Sequence, residues 1–435
     1  MKRYILLIVT LIAIFATASA RRRDSLTYAT PESVGMNGLY LNNTIDSIAK
    51  HAITERCFPG CQVLVARRGK IVFNKSYGHH TYDSLRPVEN RHIYDIASCT
   101  KVMATTLCLM RLVEEKKLSL DEPFSKWFTE FQGTDKEQCT LREFLSHQSG
   151  IRNLSFRKMF LNNKRTLRTD LFSTKRSQTF PYQFYDNIYL SKDTHQKLFQ
   201  HIIDKPLGEK KLHYACTSFH CYPTVIERLT GRTFENYLYE EFYQPLGVTD
   251  AMYNPLRKYS LEQIAPTEVD DIFRKGLVHG YVHDEAAASL GGISGNAGIF
   301  ASAESLAPIL QMLLNGGVYN GKRYFKRRTI REWTSCQYPE NGNYRALGFD
   351  RRRFSDLPIY TNRKFYYAFS ASECSYGHSG FTGTMVWVDP KEDLIFIFLS
   401  NRIHPSRNSD SFFKLNPRAN CHEAAYQSIR MFRGR

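Results

Sequence analysis

The sequence predicts an α+β fold in which a central antiparallel sheet is flanked by helices and carries a mostly helical inserted subdomain. Two pairs of β-rich runs, at 61–75 and 384–400, lie near opposite ends of the chain. A long stretch between them shows helical patterns and few strand signals. We therefore expect residues 21–130 and 280–435 to form one domain together and residues 131–279 to form the insertion.

The first third of the chain predicts a helix, a hairpin and a second helix. Apolar residues at helical spacing indicate a helix over 37–54. The β-rich runs 61–66 and 71–75 flank a short turn that contains Gly69, which is typical of a β-hairpin. The apolar run 102–112 then predicts a long buried helix that ends near Lys116 and Lys117.

The remaining two thirds predict the insertion and the closing part of the sheet. Residues 120–275 are rich in charged and aromatic side chains, with helical patterns at 219–230 and 233–243. The glycine-rich segment 291–298 predicts a loop, and a helix over 303–315 ends at Gly316-Gly317. Strands over 384–389 and 394–400 are joined by a turn at 390–393, and we expect this hairpin to join the early one in a single sheet.

The N-terminus has the pattern of a secretory signal peptide over residues 1–20. Lys2-Arg3 precede an apolar run from Ile5 to Phe15, and Ala18-Ser19-Ala20 is typical of a cleavage site. This predicts a periplasmic or secreted protein. Arg21-Arg22-Arg23 follow directly, and positive charge at that place opposes export, so an uncleaved N-terminal anchor is an alternative. No later run has the length and apolar character of a membrane span.

The composition excludes some classes of partner. The net charge is +17, but the basic residues are scattered and accompany no nucleic-acid motif, so we expect no nucleic-acid partner. Solvated surface faces, or attraction to an anionic cell envelope, explain the charge more simply. Of the ten cysteines, Cys57 and Cys61, and Cys216 and Cys221, are close enough in sequence to pair. Their spacing is not typical of a metal site, and nothing implies a cofactor.

Ser98 and Lys101 form the most informative pair in the chain. A serine hydroxyl needs an adjacent base to act as a nucleophile, and a lysine three residues along a helix lies on the same face. The S-x-x-K spacing occurs at four places: Ser47/Lys50, Ser98/Lys101, Ser155/Lys158 and Ser411/Lys414. Only Ser98 opens a long apolar helix, whereas Ser47 lies on a solvent-facing helix surface and the other two lie in loop-like segments. We therefore predict that Ser98 is the nucleophile.

Further motifs extend this pair to a resemblance that covers most of residues 30–405. The segments, in chain order, are 30–36 (TPESVGM), 96–101 (IASCTK), 145–151 (LSHQSGI), 230–231 (TG), 244–248 (QPLGV), 282–285 (VHDE), 295–300 (GNAGIF) and 377–384 (GHSGFTGT). In this order the chain resembles the class C β-lactamase-related serine hydrolases, which include D-aminopeptidases, D,D-carboxypeptidases and esterases. The resemblance implies a β-lactamase/transpeptidase-like fold and a small-molecule or peptide substrate.

The family's second motif, Y-x-N, is best matched by Tyr214-Ala215-Cys216. The resemblance implies that Tyr214 works with Lys101 in proton transfer. Other tyrosines fit the bare pattern without the right downstream context, at Tyr40, Tyr185 and Tyr360. Cys216 stands where the family has an asparagine that binds the lysine and the substrate amide. A thiol hydrogen-bonds weakly, which favours an esterase-like or altered peptide specificity over a β-lactamase.

The third motif is matched by His378-Ser379-Gly380, which leads into the closing hairpin. The resemblance implies that His378 contacts a substrate carboxylate or the leaving group. It also implies an oxyanion hole made by the backbone N–H groups of Ser98 and Phe381. We interpret His147 as structural and His283 as a loop or cleft-edge residue.

These observations predict an exported serine hydrolase that forms an acyl-enzyme at Ser98, acting on an ester, peptide or amide that includes D-amino-acid compounds. Two alternatives stay open: a penicillin-binding-protein-type D,D-peptidase or β-lactamase, and a catalytically inactive ligand-binding relative on the same fold. The sequence also leaves open whether Lys101 or Tyr214 is the general base. If Lys101 is the base, its pKa must fall from ~10.4 towards ~7, whereas a charged Lys101 would lower the pKa of Tyr214 instead.

Overall fold

A computed structural model describes residues 25–353 and 365–434, and its centre is a seven-stranded sheet. The predicted signal peptide and Tyr360 lie outside these residues. The strands, in chain order, are β1 (Thr27–Tyr28), β2 (Gly60–Arg67), β3 (Lys70–Gly78), β4 (Asp350–Arg351), β5 (Tyr376–Ser379), β6 (Met385–Asp389) and β7 (Leu394–Ser400). Their order across the sheet is β1-β3-β2-β7-β6-β5-β4.

The two predicted hairpins form one sheet, as expected. The early hairpin β2–β3 joins the late hairpin β6–β7 because β2 pairs antiparallel with β7, with Leu64 opposite Ile397. Strand β5 pairs antiparallel with β6 and places Gly377 opposite Trp387. The short edge strand β1 is parallel to β3, whereas the other pairs are antiparallel. The predicted α+β fold is confirmed.

Helices cover both faces of the sheet because its central strands are apolar on both sides. The long helices are α1 (Gly38–Thr54), α2 (Thr106–Glu114), α3 (Ala303–Leu314) and α4 (Pro417–Arg433). Helices α1 and α4 pack on the face that presents Val63, Trp387 and Phe396. Helices α2 and α3 share a core with the opposite face, which presents Leu64 and Ile397. Alternate side chains of each strand thus enter different cores.

Residues 131–279 contain more helix than strand but are less purely helical than the sequence predicted. Their longest helices are Thr194–Asp204 and Tyr222–Thr230, and the shorter ones are Leu141–Leu145, Phe156–Phe160, Phe234–Leu238 and Gln244–Leu246. A three-stranded sheet is added by Phe172–Ser173, Tyr182–Tyr185 and Ile188–Leu190. These strands are too short to show an alternating pattern. Several residues of the segment, such as Phe144 and Tyr222, share the core of α2 and α3.

Smaller elements complete the fold. A second three-stranded sheet combines Tyr94–Asp95, Ile299–Ala301 and Ala251–Tyr253. Two further sheets have two strands each: one pairs Val269–Asp270 with Gly276–Leu277, and the other pairs Val318–Tyr319 with Lys322–Arg323. Three short helices are Glu285–Ser289, Arg327–Thr334 and Ser411–Leu415. All ten cysteines are free thiols, including the pairs that are close in sequence. Across the residues that the structure describes, no helix has both the length and the hydropathy of a membrane span.

Candidate active site

Ser98 lies on a tight turn between Tyr94–Asp95 and α2. The turn is a 3-10 segment, Ala97–Cys99, followed by a π-helical segment, Lys101–Thr105, before regular α-helix begins. Ala97 has a φ of +46°, which is unfavourable for a residue with a Cβ, and its N–H donates to the buried Asp95 carboxylate at 2.8 Å. This strained turn leaves the Ser98 side chain half-buried at the wall of a cleft.

Lys101 is fully buried, and its ammonium group contacts three acceptors. Its Nζ lies 3.0 Å from Ser98 Oγ, 3.3 Å from Cys216 Sγ and 3.2 Å from the backbone oxygen of Asn296. Three acceptors match the three N–H bonds of a charged lysine. Burial opposes the charge, but the neighbouring Cys216 and Tyr214 more than offset it, so the pKa of Lys101 lies above its ordinary value. The lysine is therefore protonated in the resting site.

Tyr214 reaches Ser98 from the other side. The two hydroxyl oxygens lie 3.1 Å apart, and Lys101 Nζ lies 5.4 Å from the centre of the tyrosine ring. Tyr214 lines the cleft with 38% of its surface exposed. Burial raises the pKa of its phenol, Cys216 adds to the rise, and the nearby Lys101 opposes it. Ser98, Lys101 and Tyr214, which sequence reasoning selected, are thus brought together in one hydrogen-bonded group.

Two residues that sequence reasoning did not assign to the site hold the segment 214–216 in place. Asn153 Nδ2 donates to the backbone oxygen of Tyr214 at 3.1 Å, and Asn153 Oδ1 accepts from the N–H of Cys216 at 2.7 Å. His147 Nδ1 accepts from the N–H of Ala215 at 3.2 Å. His147 is buried and its ring lies 4.7 Å from that of Tyr214, which agrees with a structural role. No sequence spacing connects these positions.

Cys216 stands at the third position of the Y-x-N pattern, where the motif predicts an asparagine. Its thiol is half-buried and also lies 3.9 Å from the hydroxyl oxygen of Tyr214. A sulfur atom accepts a hydrogen bond from the lysine but is a weak donor. The thiol can therefore support the Lys101 ammonium without offering the strong N–H donor that an amide would present to a substrate.

His378 is neutral and is supported by an arginine. Its Nδ1 lies 2.8 Å from the backbone oxygen of Ser379, so it carries the proton, and its Nε2 accepts from Arg345 at 3.4 Å. Burial, together with the charges of Arg345 and Lys101, holds the pKa of His378 well below its ordinary value. Arg345 is itself buried in an ion pair with Asp350. His378 thus lines the cleft without a positive charge, and both of its ring nitrogens already have hydrogen-bond partners.

The segment 379–381 packs directly against the nucleophile turn. Gly380 is required there, because a Cβ on it would overlap Thr384 Oγ1 and the backbone oxygen of Ile96. Ser379, Gly380 and Phe381 line the same cleft as Ser98, which has a volume of about 1000 Å³. The Phe381 ring is 48% exposed and stacks on His283 at 5.7 Å between ring centres. The backbone of both candidate oxyanion donors therefore borders the cleft.

The competing S-x-x-K matches lie elsewhere. Ser47 and Ser155 are exposed, on α1 and before the short helix Phe156–Phe160. Ser411 begins the short helix Ser411–Leu415 rather than lying in a loop, and its partner Lys414 lies 2.8 Å from Asp410 at the cleft rim. Of the alternative tyrosines, Tyr40 lies on α1, and Tyr185 donates to the backbone oxygen of Leu277 at 2.8 Å. Among these four serines, only Ser98 contacts both a lysine and a tyrosine in the part of the chain that the structure describes.

A family model described as Beta-lactamase matches residues 45–416. The chain belongs to the beta-lactamase family. It is 30% identical over 446 residues to an Escherichia coli O157:H7 protein named "Putative D-alanyl-D-alanine carboxypeptidase", with 95% of this chain and 94% of the relative aligned. The Escherichia coli K12 protein of the same name is 29% identical over 446 residues, again with 95% of this chain and 94% of the relative aligned. The family predicted from the motifs is confirmed.

Solved structures of lower identity confirm the β-lactamase-like fold. EstCE1, a hydrolase with promiscuous acyltransferase activity, superposes with a TM-score of 0.63 at 16% identity, covering 88% of this chain and 99% of its own. The D-amino acid amidase from Ochrobactrum anthropi SV3 has the same TM-score and identity, with 90% and 99% covered. A penicillin-binding protein homologue from Caulobacter crescentus has a TM-score of 0.62 at 18% identity, covering 89% and 97%. The protein is a beta-lactamase-family serine hydrolase.

Proposed function

We propose that the protein is exported and hydrolyses an ester, peptide or amide through an acyl-enzyme formed on Ser98. The observation that carries the proposal is the position of Ser98 Oγ, which lies 3.0 Å from Lys101 Nζ and 3.1 Å from the Tyr214 hydroxyl. A serine with two proton-transfer groups in hydrogen-bond reach, on a strained turn at a cleft, is arranged for nucleophilic attack. An inactive ligand-binding relative has no need of that arrangement.

The reaction follows from these contacts. Ser98 Oγ attacks the substrate carbonyl carbon and its proton passes to the Lys101–Tyr214 pair. The carbonyl oxygen becomes an oxyanion that accepts from the backbone N–H groups of Ser98 and Phe381. The pair returns the proton to the leaving alcohol or amine as its bond to carbon breaks, leaving an ester on Ser98. A water molecule then attacks the carbonyl carbon of this ester and gives its proton to the pair. The pair returns the proton to Ser98 Oγ as the acyl bond breaks, which releases the acid and restores Ser98.

We assign the general base to the Lys101–Tyr214 pair rather than to one residue. Both groups have pKa values above their ordinary ones, so the resting pair holds a charged lysine and a neutral phenol. One proton must leave this pair before it can take the proton of Ser98. Because the two groups are coupled through Cys216 and through direct charge interaction, the titration belongs to the pair.

The relatives favour a substrate that contains a D-amino acid. The Escherichia coli relative carries a D-alanyl-D-alanine carboxypeptidase name, and a structural neighbour is a D-amino acid amidase. The thiol of Cys216 supports a specificity that differs from lactam hydrolysis, since it is a poor donor to a lactam or peptide amide. The signal-peptide pattern of residues 1–20 supports export to the cell envelope or beyond.

A substrate panel tests the proposal. The mature protein would be assayed with 4-nitrophenyl hexanoate, D-alanine and D-phenylalanine 4-nitroanilides, a peptide ending in D-alanyl-D-alanine, and a fluorescent penicillin. We expect turnover of the ester and of a D-amino-acid compound, lost in Ser98→Ala. Rapid, stable labelling by the penicillin would favour a penicillin-binding protein. Rapid hydrolysis of the penicillin would favour a β-lactamase. If no compound is turned over and none forms an adduct, the protein is an inactive ligand-binding relative and the proposal is wrong.

A further inference from the structure

A strongly basic surface lies away from the cleft, on the segment 318–334. This segment consists of the two-stranded sheet Val318–Tyr319 and Lys322–Arg323, followed by the helix Arg327–Thr334. It contains one carboxylate, Glu332, and six cationic side chains that are all exposed: Lys322, Arg323, Lys326, Arg327, Arg328 and Arg331. We call these six residues the basic face. None of them lines the cleft that contains Ser98.

The apolar side chains of the helix turn its cations outward. Ile330 and Trp333 are buried in the core that α2 and α3 share, so the three arginines of the helix lie on its solvent side. The sheet adds its cations to the same surface. Arg323 Nη1 lies 3.4 Å from the backbone oxygen of Gly316, and Arg327 packs on the same glycine, since a Cβ there would lie 3.3 Å from its Nε.

The neighbouring carboxylates are engaged by other groups. Glu332 pairs with Arg142 at 2.6 Å. Glu114, at the end of α2, accepts from the backbone N–H of Lys326 at 3.0 Å and from the Thr329 hydroxyl. Across residues 25–353 and 365–434, no cation of the basic face forms an ion pair. Like charges gathered on one surface repel each other, and an anionic surface relieves this repulsion when it binds.

The N-terminal end of the described chain lies beside the basic face. The backbone N–H of Leu26 donates to the hydroxyl of Tyr319 at 3.4 Å. The predicted signal peptide therefore joins the fold next to this surface, and the chain from Phe15, the end of its apolar run, to Leu26 spans at most about 40 Å. A bilayer that holds the apolar run is thus close to the basic face. This proximity favours a membrane over a soluble polyanion as the partner.

We propose that the basic face docks the protein on the surface of an anionic phospholipid bilayer. Guanidinium and ammonium groups bind lipid phosphates, and each adds to the attraction by a negatively charged leaflet. Lys326 meets the last turn of α2 at Glu114, whereas Ser98 precedes the first turn of that helix. A rise of about 1.5 Å per residue puts Ser98 roughly 25 Å from the basic face along this helix. The docked protein therefore keeps its nucleophile away from the bilayer and takes substrate from water.

Vesicle co-sedimentation of the full chain tests the docking. Vesicles of phosphatidylcholine alone would be compared with vesicles that also contain phosphatidylglycerol. We expect about tenfold or more tighter binding to the anionic vesicles at low ionic strength, and loss of most of this difference in about 0.5 M NaCl. The triple variant Arg327→Gln/Arg328→Gln/Arg331→Gln should reduce the preference by at least about fivefold. Its kcat and KM for 4-nitrophenyl hexanoate should change less than about twofold, because the basic face lies outside the cleft.

The matched control is the triple variant Arg157→Gln/Arg165→Gln/Arg176→Gln. It removes the same charge from three exposed arginines of residues 131–279, none of which forms an ion pair within the described part of the chain. We expect it to keep the preference for anionic vesicles. An equal loss in both triple variants would assign binding to net charge and overturn the proposal.

Lysine acetylation locates the contact, which is needed because an uncleaved anchor would bind any vesicle. We expect Lys322 and Lys326 to react at least about threefold more slowly on anionic than on neutral vesicles, with Lys164 and Lys175 unchanged. Equal rates at Lys322 and Lys326 on the two vesicles would overturn the proposal. So would tighter binding to polyglutamate than to the anionic vesicles, since that result indicates a polymeric partner. Ser98→Ala should bind vesicles as the wild type does, so the outcome is independent of the proposed hydrolysis.

Discussion

The Nζ of Lys101 lies 3.3 Å from the Sγ of Cys216. This contact gives the buried ammonium its third acceptor, after Ser98 Oγ and the backbone oxygen of Asn296. It also places a thiol at the position where the Y-x-N motif predicts an asparagine. The thiol thus supports the lysine but offers a substrate a weaker hydrogen-bond donor than an amide would.

Replacing Cys216 by Asn should shift specificity toward amides and lactams. The asparagine oxygen would keep the contact with Lys101, and its NH₂ group would supply a donor for a substrate amide. We expect the rate of acylation by a fluorescent penicillin to rise by about tenfold, while kcat/KM for 4-nitrophenyl hexanoate changes less than about threefold. Cys216→Ser, which is close in size, serves as the control. Equal changes for ester and penicillin in the asparagine variant would contradict this account of specificity.

Lys101→Met should destroy activity without destabilising the fold. The lysine is fully buried, so an apolar side chain of similar length removes a costly charge while filling the same space. We expect kcat/KM to fall by about 10²- to 10⁴-fold, with Tm unchanged or raised. Lys101→Arg keeps a positive charge that does not titrate, so it should also be inactive. A methionine variant that keeps more than a tenth of wild-type activity would show that Lys101 takes no part in proton transfer.

The pH profile of ester hydrolysis should rise toward alkaline pH. The pKa values of Lys101 and Tyr214 are raised, so the pair is protonated at neutral pH and gains base function only as pH rises. We expect kcat/KM to increase by up to about tenfold per pH unit from about pH 6, until the pair loses its first proton. His378 should add no step near its ordinary pKa, because burial and nearby positive charges keep it neutral. A profile that rises through about pH 6.5 and then levels off would instead indicate a histidine base.

Asp95→Asn should lower kcat through the position of Ser98. One carboxylate oxygen of Asp95 accepts from the N–H of Ala97 and the other from the N–H of His283, each at 2.8 Å. An amide can accept from only one of them, which leaves a buried backbone N–H without a partner and relaxes the strained turn. We expect about a tenfold fall in kcat and in the labelling rate of Ser98, with KM nearly unchanged. The control is Asp46→Asn on α1, and a fall in Tm with normal kcat would assign Asp95 to stability alone.

The sequence was most informative where patterns are long or ordered. The apolar runs of β2, β6 and β7 predicted one antiparallel sheet, because strands buried on both faces leave a strong signal. The choice of Ser98 over three other S-x-x-K matches also agrees with the geometry. The order of motifs and the apolar helix that follows Ser98 carry information that a bare spacing does not.

The rest of the site depends on contacts between distant positions, which no local pattern records. The Asn153 side chain holds the backbone of Tyr214 and Cys216, and Arg345 supports His378. Neither Asn153 nor Arg345 belongs to a motif that could be found in the sequence. The strands around Phe172 were missed because strands of two to four residues have no measurable period. The neutral state of His378 required its burial and the charge of Arg345, which only the folded chain shows.

Active-site labelling tests the central claim most directly. The protein and its Ser98→Ala variant would be treated with a fluorophosphonate probe, and the adduct would be located by mass spectrometry of tryptic peptides. We predict one adduct per chain on Ser98 of the wild type and none on the variant, with Ser47→Ala, Ser155→Ala and Ser411→Ala labelled normally. An adduct on any other serine, or persistent labelling of a folded Ser98→Ala protein, would contradict the assignment of Ser98 as the nucleophile.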